Sequence, residues 1–84
     1  MERYTVWENG QARVEQACLP QALERLARFE DLFFGLEEEQ RNISLQLEEL
    51  RAQGKEKTVK FRELLAQKLA NQTVKMTLER YKIK

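Results

Sequence analysis

The sequence predicts a mainly α fold: a long antiparallel helical hairpin, coiled-coil-like, preceded by a short N-terminal β-hairpin. Three observations carry this. Ten consecutive a and d positions of a heptad repeat run from Leu19 through Ala22, Leu26, Phe29, Phe33, Leu36, Gln40, Ile43 and Leu47 to Leu50, and nine are apolar. A 3,4 spacing held so long forms one stripe on one helix, the seam of a helix packed against another. The short polar link Gly54-Lys55-Glu56-Lys57 then joins that helix to a second apolar-periodic stretch, and so short a link joins antiparallel neighbours. Near the N-terminus an Asn-Gly pair is flanked by β-branched and aromatic residues, the signature of a tight hairpin.

The hairpin is placed at residues 3–16. Asn9 and Gly10 both tolerate the positive φ of a type I′ turn, and this sets Glu8 against Gln11, Trp7 against Ala12, Val6 against Arg13 and Thr5 against Val14. Trp7, Thr5, Ala12 and Val14 then share a face, read as the buried one, because an isolated two-stranded hairpin is not stable in water. Pro20 suits the start of helix one, placed at 20–53, since its missing N–H costs nothing there. At about 1.5 Å per residue this helix is roughly 50 Å long. Gly35 lies inside it without shifting the heptad phase, and Gly54 is the natural stop. Residues 54–57 form the turn, and Thr58 caps helix two, placed at 58–81. Laid back along helix one, it sets Leu50 against Phe61, Leu47 against Leu65, Ile43 against Leu69, Gln40 against Gln72 and Leu36 against Met76. The two glutamines form either a register-setting polar layer or a wet edge. Past Gln72 a strand-like alternation of Val74, Met76 and Leu78 competes with the helical period, and helix is preferred.

A chain of 84 residues has room for one domain with a small core. A single cysteine, Cys18, excludes an internal disulfide, and no apolar stretch approaches the roughly 20 residues that cross a bilayer. The expected setting is cytoplasmic, away from membranes. Charge is divided sharply. Residues 1–50 hold five Lys/Arg against eleven Asp/Glu, a net of −6, and residues 51–84 hold ten against three, a net of +7. One reading lays the acidic segment along the basic one inside the molecule; the other offers Lys55, Lys57, Lys60, Arg62, Lys68 and Lys75 to nucleic acid. The first is preferred, because the basic residues are interleaved with apolar ones.

Chemistry is sparsely indicated. The absence of histidine removes the commonest general base and metal ligand, and Cys18 beside Leu19 reads as packing rather than as a nucleophile. Glu37, Glu38 and Glu39 point about 100° apart on a helix and cannot converge on one cation. Trp7 and Tyr4 read as hairpin core more readily than as a platform for bases. No catalytic residue, cofactor or metal is expected. Apolar residues off the seam are more telling: Leu23, Leu32 and Phe34 on helix one, with Val74, Leu78 and Tyr81 on helix two, form a candidate association surface for a homodimer.

Two segments resemble known sequences. Gln21-Ala22-Leu23-Glu24-Arg25-Leu26-Ala27-Arg28-Phe29-Glu30-Asp31 is similar to the "AIERLAAYED" segment of small uncharacterised prophage proteins of Gram-positive bacteria, where it often follows a short hairpin. Residues 50–69, LRAQGKEKTVKFRELLAQKL, resemble the "LRAQGKTKTVQFKQLLAQKL" segment of other small prophage and integrated-element proteins. The resemblance implies a mobile-element context and a helical hairpin, not a chemistry. It also admits another phage protein or a host protein as partner. Those sequences often end in a "YGL"-like tail, where this chain has Arg80-Tyr81-Lys82-Ile83-Lys84.

Overall fold

The computed structural model describes residues 1–83. In chain order these form β1 (Thr5–Glu8), β2 (Gln11–Val14), a 3-10 turn (Gln16–Cys18), α1 (Leu19–Ala52) and α2 (Val59–Arg80). The fold is mainly helical, with two packed helices following an antiparallel two-stranded hairpin, as the sequence predicts. Backbone contacts divide the chain into two compact units, Met1–Phe33 and Phe34–Lys84. Lys84 itself lies outside the described residues.

In the first unit, the strand register is the one the Asn-Gly turn dictates: Thr5 with Val14, Val6 with Arg13, Trp7 with Ala12, Glu8 with Gln11. Asn9 and Gly10 take φ of 52° and 76°, the two positive values a type I′ turn needs. The expected burial of the Trp7 face is not found. Trp7 is 71% exposed, and only Val14 among the strand residues is half-buried. The hairpin is instead held beside β1, where the half-buried Tyr4 lies under Arg25 of α1, Cζ to ring centroid 4.2 Å. Arg25 Nη1 also donates to the Glu2 carbonyl. A stacked, charge-assisted clamp on the flanking residue thus does the anchoring that the Trp7 face was expected to do.

In the second unit, Ile43, Leu47 and Phe61 form the buried cluster, with Leu50 and Leu64 packed against it and Leu47 the most enclosed at 2% exposure. The turn that makes this pairing possible is a Schellman motif. Gly54 has φ 69°, its N–H donates to Arg51 O at 3.0 Å, and Lys55 N–H donates to Leu50 O at 2.8 Å. Thr58 Oγ1 then accepts from Phe61 N at 3.2 Å, capping α2 as the sequence predicts. A second Schellman motif closes α2: Lys82 N–H donates to Glu79 O at 2.8 Å and Ile83 N–H to Leu78 O at 2.9 Å, with Lys82 at φ 63°. Helix therefore wins over strand past Gln72, ending at Arg80 with Tyr81 as C-cap.

Phe61 lies inward beside Leu50 as expected, but beyond it the facing positions differ from the expected ones by one residue on α2. Phe61, Leu64, Asn71 and Leu78 turn inward, with Lys68 and Lys75 half-buried on the same stripe, while Leu65, Leu69, Gln72 and Met76 are exposed. This is a rotation of about 100°, one residue of helix. It gives Gln40 a partner at both ends of its amide: Nε2 donates to Lys68 O at 3.1 Å, and Oε1 accepts from Asn71 Nδ2 at 3.1 Å. The polar layer is real, but Asn71 fills the place expected of Gln72. Lysines on a seam flank are tolerated because their stems lie along apolar surface with the charge carried outward.

Candidate functional site

One expectation about helix one changes in the structure. Leu36, Ile43 and Leu47 of its seam are buried, but Leu19, Leu26 and Phe29 are exposed. The long heptad is therefore a packed seam in the second unit and an open apolar stripe in the first. There, Tyr4, Ala22, Arg25, Leu26 and Phe29 line a groove beside residues 1–5. Nothing in the sequence separates the packed part of this stripe from the open part, because the heptad letters are the same.

The expected association residues fall into several places. Leu78 is withdrawn from the surface: it is buried in the second unit, because the rotation of α2 turns it inward and its carbonyl closes the C-terminal Schellman motif. Leu23, Leu32, Phe34, Val74 and Tyr81 are exposed. Leu23 and Leu32 lie nine residues apart on α1, about 180° around the helix, so they occupy opposite faces. Val74 and Tyr81, seven apart, share an outer face of α2.

The basic residues do not converge either. Lys55, Lys57, Lys60 and Arg62 are exposed, whereas Lys68 and Lys75 are half-buried on the stripe that meets α1. Lys60 and Arg62, two apart, point about 160° away from each other. Among the described residues the ion pairs within 4 Å are Arg13–Glu8 at 3.7 Å and Arg28–Glu24 at 3.0 Å, both inside the first unit. The charge asymmetry of the two halves is thus not discharged by direct pairs across the seam.

What sequence reasoning missed is the outer stripe of α2. Leu69 and Met76 are 57% and 60% exposed, and Leu65 lies beside them. The signal was present: Phe61, Leu64, Lys68, Asn71, Lys75 and Leu78 also keep a 3,4 spacing, one residue out of step with the more apolar set. Hydrophobicity alone selects the wrong one.

Among the described residues no group of three or more His, Cys, Asp or Glu is placed to hold a metal ion, and no helix is long and apolar enough to cross a membrane. Comparison with protein-family models, curated proteins and solved structures finds no match.

Proposed function

We propose that this chain is a non-enzymatic, self-associating helical module of a mobile genetic element, acting in the cytoplasm as a homodimer that presents its assembled surface to another phage protein or a host protein. The observation that carries the reading is the imbalance of apolar surface. Among the described residues five large apolar ones are buried, while sixteen are exposed, Leu19, Leu23, Leu26, Leu69 and Met76 among them. Scattered exposed leucines are ordinary, but a stripe at helical spacing marks an interaction site. Each large side chain moved out of water contributes roughly 1.5 to 3 kcal/mol, so a few per subunit offset the entropy lost on pairing. The mobile-element setting rests on the two prophage-like segments.

Sedimentation equilibrium tests the reading. The expected result is a species of twice the 10.0 kDa chain mass at micromolar concentration. A monomer persisting to about 100 µM removes it. Binding to labelled DNA or RNA that weakens steeply with added salt, with no dimer, would replace it by phosphate recognition through the basic half.

A further inference from the structure

The exposed stripe of α2 has a composition that points to its occupant. We infer that α2 pairs with α2 of a second copy, antiparallel, through Leu65, Leu69 and Met76. This inference rests on the self-association reading and assigns it a surface.

Thr58, Arg62, Leu65, Leu69, Gln72, Met76 and Glu79 follow one another at intervals of four and three. That is the spacing of a second coiled-coil seam, about 100° around the helix from the stripe that packs on α1. One helix can therefore meet α1 on one stripe and another helix on the other.

The ends of the stripe select partner and direction. Arg62 and Glu79 are both exposed, and neither belongs to an ion pair among the described residues. Two copies of α2 laid antiparallel place Arg62 of each opposite Glu79 of the other, Leu65 opposite Met76, and Leu69 opposite Gln72. The stripe is then complementary to itself in charge at both ends, with Leu65 on Met76 next to each end and Leu69 on Gln72 at the centre, a self-complementary pattern as a two-fold contact requires. Laid parallel and in register, the same stripe stacks Arg62 on Arg62 and Glu79 on Glu79. Sliding the antiparallel pair by one heptad sets Leu65 opposite Leu69, but leaves Arg62 opposite Gln72. Of these, only the first alignment sets both charged ends against opposite charge.

The test uses the full chain. Arg62→Glu makes both ends repulsive and should weaken the dimer about tenfold, as reversal of two rim charge pairs does. Adding Glu79→Arg to the same chain should restore it, an outcome no loss of folding would give. Independently, in a Cys18→Ser background, chains carrying Leu65→Cys mixed with chains carrying Met76→Cys should form a mixed disulfide under mild oxidation, while Leu65→Cys alone should not. A dimer indifferent to Arg62→Glu, or one in which Leu65→Cys links to itself as readily as to Met76→Cys, overturns the α2 pairing and leaves self-association through another face. An unmodified chain that stays monomeric overturns both.

Discussion

Asn71 of α2 donates its side-chain amide to Gln40 of α1 across the helix pair, Nδ2 to Oε1 at 3.1 Å, in a polar layer of the seam. Asn71 Oδ1 in turn accepts from Gln67 Nε2 at 2.9 Å, and Gln40 Nε2 reaches the Lys68 carbonyl. The Gln40 and Asn71 amides thus each give and receive. No buried side-chain nitrogen or oxygen among the described residues lacks a hydrogen-bond partner.

Breaking this layer on one side should be costly. Asn71→Leu leaves the Gln40 carbonyl oxygen without its donor, and the expected loss is about 1 to 3 kcal/mol in urea denaturation. Gln40→Leu combined with Asn71→Leu should recover much of it, because two apolar groups then face each other. Additive losses in the double variant would contradict a shared layer.

The core centres on Leu47. Leu47→Ala should cost about 2 to 5 kcal/mol through lost burial and the cavity left behind. Leu45, exposed on the same helix, should cost under about 0.5 kcal/mol when replaced by alanine. Comparable losses at the two positions would mean that the helix phase is wrong.

Lys82 sits at φ 63°, a left-handed conformation unfavourable for a residue with a Cβ. Lys82→Gly should raise stability by up to about 1 kcal/mol, since glycine adopts the C′ geometry without that penalty. A drop in thermal midpoint instead would show that the lysine side chain contributes more than its backbone costs.

The hairpin should depend on Tyr4 and not on Trp7. Trp7→Ala is expected to leave stability within about 0.5 kcal/mol, as for an exposed position. Tyr4→Ala removes the ring beneath Arg25 and should speed amide exchange across Thr5–Glu8 and Gln11–Val14. Slow exchange persisting in that variant would place the anchor elsewhere.

Where a single local rule decides the outcome, the sequence was legible. Asn9-Gly10 fixes the strand register, Gly54 ends α1, Thr58 caps α2, and the heptad names Leu36, Ile43 and Leu47 as buried. Tertiary choices were not legible. The two stripes of α2 differ by one residue, and the more apolar one lies outside; what selects the other is the pairing of Gln40 with Asn71 and Lys68, which hydrophobic periodicity does not see. Trp7 misled for a related reason: size and apolarity suggest burial, but the contact that holds the hairpin involves a cation and a ring 21 positions apart. Of the association residues, Leu78 followed α2 inward.

A helix written with two seams is a frustrated element in the landscape sense. Turning α2 by one residue about its own axis would exchange Asn71 for Gln72 beside Gln40 and trade Leu64 for Leu65, so the competing arrangement retains both a polar layer and apolar neighbours. A narrower energy gap between the two arrangements is therefore expected than for a helix having one apolar face. Substitutions that enrich the outer stripe, or that lengthen the Gly54–Lys57 turn, act on that gap, and the fold's uniqueness is more vulnerable to them than its overall stability.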